Sequence, residues 1–418
     1  MRIQILVTLL LGCSIVPPAL AQQTVGAPTG QGSTTSSQQG QAPAANPPAQ
    51  TPAPAGPQPL PNPSMTAPLQ TAAPPHTFNA GPFGTVAITG ILSGIGLTQS
   101  NWIPGDKSTR WDLSNGQVFL QKTSGWFQFY LQAGAYNIPA LGVPTVSTAN
   151  TITGLYGPVP VAYVKLVKGN FNVEIGELPT LIGAEYTFSF ENMNVERGIL
   201  WNQENAISRG IQINDTYKKL TFAVSWNDGF YSNVYNWITG TAAYAFNSSN
   251  TLSFIGGGNV GQTTSLPTAA TPFLQNNGAI YEVLYTYSHE SWMITPYWQY
   301  THVPANTAIG IAESGSTNGG ALLLNYNFKH GISLAARPEY ITSSGSATDQ
   351  LALNLLGYGA GSDAFAFTVT PTYQKGGFFI RGDVSVVDAR SATPGLVFGR
   401  AGLNTKQTRG VAEAGFLF

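Results

Sequence analysis

The sequence predicts an all-β protein: a transmembrane antiparallel up-and-down β-barrel of about sixteen strands, plus or minus two. Three observations predict it. Charged residues make up 9% of the 418-residue chain, against about 25% in a soluble domain that must hydrate its surface. Beyond the leader no run of about 18 uninterrupted apolar residues occurs, which excludes helical spans. From residue 81 to Phe418 the polarity alternates in runs of roughly ten residues, joined by connections that are short and long in turn. The net charge of −1 offers no footprint for nucleic acid.

Residues 1–21 begin with Arg2, continue in an apolar run, and end Ala19-Leu20-Ala21. This pattern reads as a cleaved secretory signal peptide. The single cysteine, Cys13, lies in it, so no disulfide framework exists. Leu10-Leu11-Gly12-Cys13 loosely resembles a lipoprotein signal, a reading that the Ala-x-Ala site outweighs. Residues 22–80 are rich in Pro, Gln and Ala and carry no charge. Such a segment cannot bury enough apolar surface to offset its ordering entropy, and we expect a disordered periplasmic linker. The barrel is expected over residues 81–418.

Hairpin signals recur along it. Residues 159–167 and 171–177 flank Lys168-Gly169-Asn170. Residues 280–287 and 292–301 flank Ser288-His289-Glu290. Residues 322–328 and 332–341 flank Lys329-His330-Gly331. Residues 365–373 and 378–387 flank Gln374-Lys375-Gly376-Gly377. Such runs number sixteen, with weak ones near residues 117, 243 and 255. Short connections follow the even strands. The last strand reaches residue 418, and we expect both barrel ends in the periplasm.

Alternation assigns the faces. Phe127, Phe129, Leu131 and Ala133 alternate with Gln128, Tyr130 and Gln132. Leu322, Leu324, Tyr326 and Phe328 alternate with Leu323, Asn325 and Asn327. Successive side chains of a strand point to opposite faces, so one face is apolar and the other mostly amide and hydroxyl. Tyr287, Trp292, Trp298, Tyr300, Tyr340 and Tyr373 end the apolar faces, as an interfacial girdle would.

Enzyme chemistry finds no support. Gly256-Gly257-Gly258-Asn259-Val260-Gly261 fits a dinucleotide fingerprint, but no helix follows it. His76, His289, His302 and His330 are too dispersed for one metal or triad. We expect no enzyme, no cofactor and no metal.

The longest interruption, about residues 178–206, follows the fifth strand. With Glu177 it holds Glu185, Glu191, Glu196 and Glu204, one cation (Arg197), and Phe188, Phe190, Met193, Leu200 and Trp201. A solvated loop has no use for those apolar residues. We expect the loop to fold inward and narrow the lumen, with Glu185, Glu191, Glu196, Arg197 and Glu204 as the constriction. A cap over the mouth, or an oligomer contact, is the alternative.

Here the sequence resembles a known family. Val173-Glu174-Ile175-Gly176-Glu177, Gly183-Ala184-Glu185, Glu191-Asn192-Met193-Asn194, Arg197-Gly198-Ile199-Leu200, Arg209-Gly210-Ile211-Gln212 and Trp226-Asn227-Asp228-Gly229 look like the OmpL-like outer-membrane β-barrel porins, the second β-barrel porin family. The resemblance covers about residues 80–418 and implies a channel in the bacterial outer membrane. Phe418, with Phe416, also resembles the last-strand signal read by barrel insertion machinery.

A barrel of about sixteen strands is too wide for side chains to fill. We therefore expect a water-filled porin for passive diffusion of small hydrophilic solutes, mildly cation-preferring from its acidic loop. By parity Lys165, Glu174, Glu282, Arg337, Glu339, Arg381, Asp383 and Glu413 line the pore. Arg209 is included, although Ile211 and Ile213 share its parity. Arg337 with Glu339, and Arg381 with Asp383, are candidates for mutual pairing. The partners are the lipid bilayer and outer-membrane lipids, and a homotrimer is suggested by analogy alone. The alternative function is a plugged structural or adhesive barrel.

Overall fold

The computed structural model describes Leu69 and residues 74–418. The signal-peptide reading, Cys13 and the arm before Leu69 lie outside the described residues. Sixteen antiparallel strands form the wall. They are β1 (Thr85–Gln99), β2 (Thr109–Lys122), β3 (Phe127–Tyr136), β4 (Val161–Lys168), β5 (Phe171–Pro179), β6 (Ile207–Tyr217), β7 (Leu220–Asn227) and β8 (Trp237–Asn247). Then come β9 (Asn250–Asn259), β10 (Ala279–His289), β11 (Trp292–Val303), β12 (Gly315–Asn327), β13 (Ile332–Ser343), β14 (Asp363–Lys375), β15 (Phe378–Arg390) and β16 (Lys406–Leu417). Each strand pairs with the next in sequence. β16 pairs with β1, from Arg409↔Gln99 to Leu417↔Ile91, and closes the barrel. Closure leaves no unpaired edge, as a wall facing hydrocarbon requires.

The runs near residues 117, 243 and 255 are full strands. Gly116, Gly240, Gly256 and Gly258 interrupt their outward apolar faces, which weakens the sequence pattern but not the ladder. The turns are tighter than the sequence suggests, because strands continue until a left-handed residue stops them. His289 ends β10, and Glu290 turns the chain at φ 51°.

Period-2 alternation governs the wall. In β7 Leu220, Phe222, Val224 and Trp226 are exposed, while Thr221, Ala223, Ser225 and Asn227 are buried. Trp292, Trp298, Tyr340 and Tyr373 lie on the exposed face. Outward apolar side chains form the belt that lipid covers. The inward face is less polar than expected. Ile280, Leu284, Leu323, Ala335, Ile341, Ala364, Ala366, Val387 and Ala389 share one buried cluster with loop residues Ile182, Ala184, Met193, Ile199 and Leu200.

A short leading strand, His76–Asn79, pairs antiparallel with β1 from His76↔Ile88 to Asn79↔Thr85. It carries on the line of β16 past Phe418, at the barrel end where the short turns lie. That end is the turn end and the opposite one the loop end.

Candidate functional site

The segment between β5 and β6 builds the interior. All of residues 180–208 are buried. Thr180 Oγ1 donates to Asn205 Oδ1 (2.9 Å), closing the neck of the loop. Past the neck the chain crosses the lumen, and its polar groups meet inward-facing wall residues in succession.

Beside the neck, Gly183 N–H donates to Glu282 Oε2 of β10 (2.7 Å). Tyr297 Oη and Gln299 Nε2 of β11 donate to Glu204 Oε1 (2.7 Å each), and Gln299 Nε2 also reaches Glu282 Oε1 (3.2 Å). No hydrogen-bond partner meets Glu204 Oε2. Burial, then the facing Glu282 charge, pushes the Glu204 carboxyl well above the ordinary range. Gly183 has φ +91°, and a Cβ there would overlap the Glu204 carboxylate. Only glycine lets the two ends of the loop approach so closely.

On β13, Arg337 Nη1 bonds Glu185, and its Nε bonds Glu339 Oε2 (3.0 Å). A Cβ at Gly198 would overlap the Glu339 carboxylate. On β15, Asp383 accepts from Val195 N–H (3.1 Å) and Glu196 N–H (2.8 Å). Arg381 binds Glu413 (2.7 Å) rather than Asp383, and Nη1 donates to Asn192 O (2.7 Å). Register explains this departure from the expected mutual pair: Arg381 lies directly opposite Glu413 on β16. Ser189 Oγ also donates to Glu413 (2.7 Å). Arg409 of β16 pairs with Glu196 (3.0 Å).

The loop tip holds itself. Asn192 accepts from Tyr186 N–H (2.6 Å) and donates to Tyr186 O and Phe188 O (2.8 Å each). Glu191 accepts from Phe188 N–H (3.0 Å), and burial pushes its carboxyl up to about 8. Phe188 packs edge-on against Tyr136 at 5.2 Å, and Phe190 lies 5.7 Å from Phe119. Arg197 meets the Tyr186, Thr187 and Val195 carbonyls, and burial pulls its guanidinium down to about 10.

The residues singled out by sequence therefore fall into four groups. Glu185, Glu196, Glu204, Glu282, Arg337, Glu339, Arg381, Asp383 and Glu413 meet at the seam between loop and wall, while Glu191 and Arg197 hold the loop itself. Lys165 and Glu174 face each other across β4 and β5 at 3.0 Å. Their side chains retain 19% and 13% exposure. Arg209 departs from its assignment: it lies on the outward face of β6 with Ile211 and Ile213. There it pairs with Asp228 (2.8 Å) and covers the Tyr231 ring at 3.9 Å, while Tyr231 Oη donates to Glu177 (2.7 Å). These partners compensate a charge that the parity rule turns away from the lumen. The sequence reading missed Arg409, whose parity with Glu413 four residues on was a usable signal. It also missed Tyr297 and Gln299, which carry no distinguishing pattern.

A closed sixteen-stranded wall enclosing an anchored loop is the geometry of a channel protein. The model of the family described as "Putative beta-barrel porin-2, OmpL-like" matches residues 85–418. Solved structures share the fold. Outer-membrane expressed OmpT of Vibrio cholerae has a TM-score of 0.55 at 11% identity, covering 82% of this chain and all (100%) of that one. The anion-selective porin from Comamonas acidovorans has 0.54 at 12%, covering 80% and 99%. Salmonella typhi OmpF, in complex with daunomycin, has 0.52 at 11%, covering 80% and 98%. At such identities the likeness concerns the fold alone. No curated protein matches the sequence. Over residues 85–418 this chain belongs to the OmpL-like β-barrel porins, channel proteins of the bacterial outer membrane.

Proposed function

We propose that the chain forms a water-filled channel for passive diffusion of small hydrophilic solutes, with the loop between β5 and β6 as its constriction. The observation that carries this reading is the route of the loop. It docks on β10–β16 and β1–β3 and leaves the Lys165–Glu174 pair partly exposed. Solutes then pass along β4–β6, where Gln212 and Asn214 add amides to the ion pair. Mild cation preference is supported only by the loop's composition, in which Glu185, Glu191, Glu196 and Glu204 outnumber the single Arg197; wall arginines pair with Glu185 and Glu196. A homotrimer is supported by the outward Glu177–Arg209–Asp228 cluster, since a neighbouring copy would keep those charges from lipid. Both barrel termini then lie on the periplasmic side, as short turns at that side imply.

Planar-bilayer recording with sized neutral solutes tests the channel. Stepwise conductance with a solute cut-off is the expected result, and a reversal potential favouring anions would remove the cation preference. A second reading is favoured by the complete burial of residues 180–208: a plugged structural barrel. Absence of conductance from folded, heat-modifiable protein would select it.

A further inference from the structure

Leu69 lies seven positions before His76, and its side chain is fully buried, with 0% exposure. It belongs to an apolar cluster that includes Ile91, Phe119, Tyr130, Phe379 and Leu417. All five project inward by strand parity, and all lie in the turn-end half of the barrel: Ile91 is paired with Leu417, and Phe379 is the second residue of β15. Their neighbours on the inward face of β2 and β3 are amides, Gln117, Gln121, Gln128 and Gln132. The collar is thus a local apolar exception.

His76 pairs with Ile88 near the turn-end rim, and His76–Asn79 is exposed. Seven residues span at most about 25 Å, which puts the collar within reach of Leu69 from the turn-end rim. A leucine in an open aqueous pore keeps its surface wet; at 0% exposure Leu69 is covered on every side. Phe190 of the inward loop occupies the same cluster, so the loop and Leu69 belong to one packed group.

We propose that this collar is a docking site for the chain's own arm, and that Leu69 seats in it as a stopper that narrows the channel from the turn end. The docking stands on the packing alone; only its effect on transport rests on the channel reading.

The test is disulfide trapping in the full-length, membrane-inserted barrel. Leu69→Cys is combined in turn with Phe379→Cys and Phe119→Cys, with each single variant as a control. Docking predicts a mobility shift that a reductant reverses, in a double variant and in neither single. Absence of the crosslink in both doubles overturns the docking. Conductance is then compared between the full chain, a form lacking residues 22–75, and Leu69→Asp. The stopper predicts a rise of about twofold or more in single-channel conductance for both altered forms. An unchanged conductance alongside a formed crosslink overturns the stopper and leaves the docking. If no form conducts, the channel reading fails, and the crosslink still decides whether the arm docks.

Discussion

The Arg409 guanidinium of the closing strand lies 3.0 Å from the Glu196 carboxylate at the far reach of the inward loop, and both side chains are sealed from water. Around this pair Ser385 donates to Glu196 (3.1 Å), and Arg409 donates to the Ala140 carbonyl (2.6 Å). The strand that closes the barrel therefore also holds the loop within it.

Removing one partner leaves the other charge buried and alone. Arg409→Ala should destabilise the docked loop by about 3–5 kcal/mol. Conductance noise should rise, and the temperature of heat modification on gels should fall. Adding Glu196→Gln removes the stranded charge and should restore much of the loss. A double variant no better than the single would refute the pairing as an anchor.

Loop docking should weaken as pH rises. Glu191 and Glu204 both have carboxyls pushed up, chiefly by burial. Glu204 faces Glu282, Glu185, Glu339 and Tyr297. Because the folded form holds these protons more tightly than the unfolded form, their contribution is fully present in acid. It declines from the ordinary glutamate value of 4.5 upward, through about 8 for Glu191. Thermal midpoints of the detergent-solubilised protein should therefore fall across this window. Glu191→Gln with Glu204→Gln should flatten the slope, and an unaltered slope would contradict the assignment.

Gly198 faces the Glu339 carboxylate with no room for a Cβ. Gly198→Ala must displace a carboxylate that Arg337 holds at 3.0 Å. The expected cost is about 1–3 kcal/mol, read as faster proteolysis of the loop in folded barrels. Protection equal to the native protein would show that the seam yields.

Selectivity should respond to the Lys165–Glu174 pair and little to the sealed ion pairs. Glu174→Gln leaves Lys165 unopposed, and the cation-to-anion permeability ratio should fall by about twofold. Exchanging Arg381 and Glu413 should leave the reversal potential near its native value. The opposite pattern would move the solute path to the other side of the lumen.

The sequence by itself determined the wall. Sixteen strands, their order and the face of each residue follow from two-residue alternation and local turn chemistry, and the outward position of Arg209 was written in the parity of Ile211 and Ile213. The tertiary structure decided the interior. Which carboxylate meets which arginine depends on residues up to about two hundred positions apart, such as Glu196 with Arg409. Arg381 took Glu413 over Asp383 because cross-strand register placed Glu413 opposite it. Leu323, Ile341 and Val387 face inward without water because the loop covers them. No local pattern encodes that cover: it arises only when a closed wall brings the loop against its opposite side. The same holds for Leu69, one of the few large apolar residues of the arm, whose burial depends on a collar assembled from both ends of the chain.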